Sequence, residues 1–381
     1  MPMPCYVDVH ILQTVPPSNL NRDDAGTPKQ AVYGGVRRAR VSSQAWKRAT
    51  RTAFADHVDP RQLGTRTKKI SALFAERLAT RCQLDPEAST RIATSILAEL
   101  GIKPGKKATE TAYLLFFGRP QLERLIDLIE DDLPRLSGLD DAELTASVKD
   151  VPVRQTLGTG HPIDVALFGR MVADRAELNV DAATQVAHAL STHATDVEFD
   201  YYTAVDDENP KEDTGAGMIG TVEFQSATLY RFATVGLHQL AENLGGDVAA
   251  TVEALRVFLT AFTTSMPTGH GNSFAHRTTP NLFTVAIRSD QPVNLVSAFE
   301  NPVRPDGRGL LTASVQRFAD EMTTAATLWG RRPVLVASTY SAPGDPAAAA
   351  LAGSLGAAKP FHEAVDTVVT AARSWIEGAD R

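Results

Sequence analysis

Cysteine is nearly absent from this chain of 381 residues, with Cys5 and Cys82 the two present. They can make at most one bridge and match no zinc-ligand spacing, so free thiols in a reducing compartment are expected. Long apolar runs are missing too. The stretch from Tyr113 to Phe117 falls far short of the ~20 residues that cross a bilayer, and no basic region followed by an apolar stretch opens the chain. A soluble, cytoplasmic protein with no membrane partner is expected. Neither a P-loop nor a Rossmann-type glycine pattern occurs, which removes two nucleotide-binding classes. The remaining composition, 43% hydrophobic and 22% charged, is that of an ordinary globular protein with enough apolar surface for a core. At ~150 residues per domain, one large or two to three smaller folded units are expected.

Charge is unevenly spread. The net charge is −7, yet residues 1–70 carry 12 Lys and Arg against 5 Asp and Glu. Such segregation points to a local anion-binding surface on an otherwise acidic body. Its densest part holds Lys29, Arg37, Arg38, Arg40, Lys47, Arg48 and Arg51 with no acidic residue among them.

The local pattern gives that region a shape. Val7, Val9 and Ile11 alternate with Asp8, His10 and Gln13, which predicts an opening strand that Pro16 and Pro17 should end. After Gly34 and Gly35, the segment RRARVSSQAWKRATRTAF changes from extended chain to helix, with Ser42 and Ser43 as N-cap candidates. At 100° per residue, Lys47, Arg48 and Arg51 fall within about 60° of Gln44, while Trp46, Ala49 and Ala53 lie opposite. One face is basic and the other packs inward. With no acidic partner at helical spacing, and with seryl side chains and free N–H groups at the helix start, the surface suits phosphates.

Residues 61–180 read as mostly helical, including one helix from Gln121 to about Leu133, and end in HPIDVALFGRM around Pro162 and Gly169. From Thr195 onward two β-rich arms, Phe199 to Val205 and Thr221 to Val235, flank a charged, Gly- and Pro-containing middle, which predicts a long hairpin. Helices from about Asp247 to Thr264, Thr312 to Trp329 and Pro360 to Glu377 alternate with strands at Leu282 to Ile287 and Val334 to Tyr340. This order predicts an α+β sheet with helices on one face.

The block SNLNRDDAGTPKQAVYGGVRRARVSSQAWKRATR, the segment from Ile163 to Met171, FDYYTAVDD and FQSATLYRFA resemble the CasC family, the backbone subunits of the type I-E CRISPR Cascade complex. The resemblance runs from Val7 to the final helix and is weakest over residues 60–155. It implies a non-enzymatic protein without cofactors, in which a ferredoxin-like (RRM-like) palm (1–60, 183–194, 226–381) carries a helical fingers domain (61–182) and a β-hairpin thumb (195–225). It further implies several copies lined along one CRISPR RNA, other Cascade subunits beside them, and a target DNA strand paired to the guide. Lys29, Ser42, Gln44, Lys47, Arg48 and Arg51 match positions that hold the guide backbone in the family, and Arg37, Arg38 and Arg40 extend the basic surface. Met171 and Tyr202 match positions near interrupted base stacking, where a thioether and an aromatic ring fill the gap left by a splayed base. Met218 and Ile219 would wedge there as well. The aromatic signature of RNA-recognition sheets is absent, so stacking on the sheet face is not expected.

An enzyme is the competing class. His188 and His193 stand about 140° apart on a helix, a poor metal pair. His270 and His276, with Gly269, Gly271 and Ser273, suggest a hydrolytic, RNA-processing or metal-dependent nuclease loop, but no carboxylate lies nearby to orient an imidazole. A polar loop touching RNA or a neighbouring subunit fits those residues better.

Overall fold

The computed structural model describes residues 4–102, 105, 110–204, 218–305, 307, 309–341 and 346–378. In chain order its strands are β1 (Tyr6–Ser18), β2 (Gln30–Tyr33), β3 (Val36–Val41), β4 (Gly64–Thr67), β5 (Leu115–Gly118), β6 (Thr184–Val186), β7 (Ala189–Ser191), β8 (Glu198–Ala204), β9 (Met218–Gly236), β10 (Leu282–Arg288) and β11 (Leu335–Thr339). The helix that follows β3, α1, spans Ser43–Ala53. The fold is mixed α+β, and the chain divides into two compact units.

The first unit takes Met1–Ala53, Gln185–Thr234 and Arg256–Ser374. Its sheet runs β11-β10-β1-β9-β7-β3-β2, with β6 and β8 also paired to β9. β1 is antiparallel to β10, β3 to β2 and to β7, and β8 to β9. The β2–β3 turn, Gly34–Gly35, has φ of 59° and 77°, the pair of positive values that a tight type I′ hairpin requires. A Cβ at Gly34 would also collide with the Glu300 carbonyl oxygen at 1.6 Å.

Two expectations for this sheet are corrected. β1 does not end at Pro16 and Pro17 but continues to Ser18, since proline only forfeits a donor where the ladder leaves that position unpaired. Nor do helices cover one face alone. On one face His10 packs against Phe318 of the helix Leu310–Thr327, within a core that includes Leu12, Tyr230, Phe299 and Met322. On the other, Phe283 meets Phe361 of the helix Phe361–Glu377, and Arg231 donates to the carbonyl of Phe262 in the helix Val248–Thr264. Asp8, His10 and Gln13 of β1 are therefore buried with partners. Asp8 binds Arg288 at 2.8 Å, both fully enclosed, and burial pushes the Asp8 carboxyl up to about 6 against the opposing pull of Val293 N–H, Thr234 and Arg288. His10 Nδ1 lies 2.9 Å from the Tyr230 hydroxyl, which itself accepts from Leu295 N–H.

The second unit takes Phe54–Thr184, Val235–Leu255 and Trp375–Arg381. Helices Ile70–Cys82 and Pro86–Ala98 pack together around Phe74, Leu78, Ile92 and Ile96, joined by Leu122, Leu125 and Ile126. The single helix expected from Gln121 is broken. It runs Arg119–Asp127, gives way to a turn at Glu130–Asp132 and restarts at Leu133–Ser137. Pro134 stands in the first turn of the second helix, where a proline is tolerated. The antiparallel pair β4–β5 also lies here.

Candidate nucleic-acid interface

β3 feeds directly into α1. Ser42 caps the helix, its hydroxyl accepting from Ala45 N–H at 3.3 Å, while its own N–H donates to the Asn21 side chain at 2.9 Å. The helix buries Trp46 and Thr50 and leaves Gln44 and Arg48 exposed and Lys47 and Arg51 half-buried. Trp46 sits under the buried guanidinium of Arg231, 3.7 Å from ring centre to Cζ. Arg231 also covers the Phe262 ring and donates to Gln13 Oε1 at 2.7 Å. Full burial pushes its guanidinium down to about 9. The packed face of α1 is thus anchored to β1 and β9, which fixes where the cationic face points.

At the start of α1 further cations converge. Lys29 N–H donates to Asn21 O and Lys29 O accepts from Arg40 N–H. Arg40 holds the Gln30 carbonyl at 3.1 Å and reaches His188 Nδ1 at 3.3 Å. The pairing of Val41 with Ala189 brings His188 opposite Ser42, where Nδ1 also takes the Ser43 N–H at 3.4 Å. Partial burial, then the Arg40 and Lys29 charges, lower the basicity of that imidazole. Arg37 is exposed, with its guanidinium on Gln30 Oε1 at 3.2 Å.

Arg38 is a correction. It is wholly enclosed, donating to the carbonyls of Tyr33, Ser191, Phe299 and Glu300. No face of it is left for a phosphate, because the remote segment Phe299–Glu300 closes over it.

Met171 lies in the second unit and is 82% exposed. The preceding Arg170 is buried and pins the turn, bonded to the carbonyls of Leu178 and Leu157 and paired by its backbone with Val180. On the hairpin, Tyr202 pairs with Gly220. Its ring lies where a Cβ at Gly220 would fall, 2.4 Å away, so it covers its own hairpin. Ile219 pairs with Thr203, on the face opposite Tyr202 and shared with Phe199 and Tyr201. Those three are 60%, 67% and 63% exposed. The alternation of β8 could have singled out Phe199 and Tyr201, which the sequence reading passed over. The Met218 side chain and residues 205–217, the hairpin middle, lie outside the described residues.

The His270–His276 loop holds its two histidines in different settings. His276 is buried, its Nε2 3.0 Å from the Pro267 carbonyl, and His270 takes a left-handed conformation, φ 50°, ahead of the short turn Gly271–Phe274. The depression there, about 600 Å³, is lined by Thr268, His270, Asn272, Ser273, His276 and Arg277 among others, with no carboxylate. Among the described residues no cluster of His, Cys, Asp or Glu could hold a metal ion, and no helix is long and apolar enough to cross a membrane.

The sequence model of the CT1975-like protein family, a Cas7-like family, matches residues 7–367. The chain belongs to that family. Two solved structures extend the match. One, a "CRISPR RNA-guided surveillance complex, pre-nicking", has a chain 30% identical, with 96% of this chain and 100% of that chain covered and a TM-score of 0.80. In a second, a "CRISPR RNA-guided surveillance complex", the values are 26%, 96%, 99% and 0.72. No curated protein matches. Membership of the family bears out the resemblance to Cas7-type backbone subunits read from the sequence.

Proposed function

We propose that this chain is a non-catalytic backbone subunit of a type I-E Cascade complex, holding CRISPR RNA by its phosphates while base pairing with the guide supplies specificity for a target DNA strand. Lys29, Arg37, Arg40, Gln44, Lys47, Arg48 and Arg51 carry the RNA backbone, and Ser42, which is buried and engaged in the cap, positions the helix that presents them. Met171, Tyr202, Met218 and Ile219 act where bases are displaced. The unit that holds the sheet supplies the ferredoxin-like palm, the unit with the helical core the fingers, and residues 195–225 the thumb. Copies associate head to tail, the arrangement that lets an open filament follow a strand of RNA.

The observation that carries this reading is the cationic face of α1, anchored through Trp46 and met at its start by Lys29 and Arg40. Its place in a family whose solved relatives are RNA-guided complexes supports it. A nuclease centred on His270 and His276 has no orienting carboxylate among the described residues and is disfavoured. The test is the salt dependence of RNA binding by Lys47→Ala/Arg48→Ala/Arg51→Ala. Each lost phosphate contact should flatten the slope of log affinity against log salt by about 0.7. A folded variant with the wild-type slope refutes the assignment.

A further inference from the structure

His188 Nδ1 faces two groups that can only donate, the Ser43 backbone N–H at 3.4 Å and the Arg40 guanidinium at 3.3 Å. An imidazole nitrogen so placed is the unprotonated one. In the neutral ring the proton must then sit on Nε2, across the ring from both donors, on an exposed side chain. Arg40 on β3 and Lys29 ahead of β2, the charges that act on the ring, are both positive and oppose a second proton. Protonation would also set Nδ1–H against the Ser43 N–H and Arg40, breaking the contacts that orient the ring. What His188 offers outward is a fixed, uncharged donor between two cations, at the start of the helix that carries Lys47, Arg48 and Arg51.

We propose that His188 is an RNA-binding residue that donates its Nε2–H, as neutral imidazole, to a phosphodiester oxygen. The inference rests on the RNA-binding reading above and deepens it. A phosphate oxygen is the acceptor that Lys29 and Arg40 would draw to this spot, and a donor of fixed direction orients it where flexible cations alone would not. His188 then differs from its neighbours in one measurable way. It adds affinity without releasing a counterion.

The test uses the full chain and a synthetic single-stranded oligoribonucleotide. His188→Asn retains an acceptor near the Nδ1 position and lacks the distal donor, whereas His188→Gln carries an amide N–H towards the Nε2 position. His188→Asn should weaken binding about fivefold, the size of one neutral hydrogen bond, with the salt slope of the wild type, and His188→Gln should bind more tightly than His188→Asn. Wild-type affinity in His188→Asn overturns the proposal, as does a slope lowered by about 0.7, the mark of a lost cation. Nitrogen-15 shifts of the wild-type imidazole between pH 6.5 and 8 should report the proton on Nε2, and a proton on Nδ1 is equally fatal. The triple alanine variant separates the two levels. If its slope stays at the wild-type value the RNA reading itself fails, and if it flattens while His188→Asn is silent only the role of His188 falls.

Discussion

The guanidinium of Arg231 stands over the indole of Trp46, 3.7 Å from the ring centre, with both side chains fully buried. Among the described residues no carboxylate acts on it. The charge is offset instead by two aromatic faces, the Gln13 side chain and the carbonyls of Phe262 and Thr263. A desolvated cation–π contact is worth about 2 kcal/mol or more, and this one ties the cationic helix α1 to the centre of the sheet.

Trp46→Ala should therefore cost about 3–5 kcal/mol, the usual range for a buried aromatic. Arg231→Ala should cost about 3 kcal/mol by leaving Gln13 and the carbonyls unpaired. Urea unfolding measures both. At temperatures where the variants remain folded, RNA affinity should also fall, because α1 loses its anchor. A Trp46→Ala protein that is as stable as the wild type would show that the stack does not hold the helix.

Arg38 and Arg48 should part company. Arg38→Ala strands the carbonyls of Ser191, Phe299 and Glu300 and should lower stability by about 2–4 kcal/mol, leaving the salt slope of RNA binding as in the wild type. Arg48→Ala, on the exposed face of α1, should lie within about 0.5 kcal/mol in stability and lower the slope. Equal slopes for the two variants would reverse this assignment of Arg38 to structure.

His10 predicts an acid-sensitive stability. Burial, then the Arg288 charge, push its imidazole down from 6.5 to about 3, so the folded chain holds it neutral while the unfolded chain takes a proton below 6.5. The stability tied to the neutral ring is complete above pH 6.5 and is lost as pH falls towards 3, at up to about 1.4 kcal/mol per unit. His10→Gln should be less stable at pH 7 and have a shallower decline between pH 6.5 and 4. Parallel declines in chemical denaturation would exclude His10 as the source.

How much of this was legible in sequence depends on the distance to each partner. The face of α1 was readable because Gln44, Lys47, Arg48 and Arg51 stand within eight positions, where helical periodicity alone sorts them. The burial of Asp8 and His10 in β1 was not legible, because their partners are 280 and 220 residues away. Arg38 and Arg40 share a face of β3, and only the segment Phe299–Glu300, far along the chain, decides that the first is sealed and the second is not. His188 was weighed as a metal ligand beside His193 on a presumed helix. Its real setting is a strand end whose contact, Ser43, lies 145 positions earlier.

The hairpin supplies the last prediction. Phe199, Tyr201 and Ile219 form an exposed strip along one face of β8 and β9, while Tyr202 rests on Gly220 at the other. The sequence between the arms, Asp206 to Gly217, has five acidic residues and one lysine, too negative to grip phosphates by charge. If the thumb works by inserting apolar groups next to a neighbouring copy, at an unstacking cost of a few kcal/mol per step, the strip and not the acidic middle should matter most. Phe199→Ala/Tyr201→Ala/Ile219→Ala should leave stability within about 1 kcal/mol, since exposed side chains carry little core, and should weaken assembly on RNA as read by mass measurement. Deleting Asp206 to Gly217 should also leave the monomer folded. Reactivity footprints of the bound guide should show bases altered at regular intervals in the wild type and a more uniform pattern in the triple variant. A footprint unchanged by both variants would remove the hairpin from RNA remodelling.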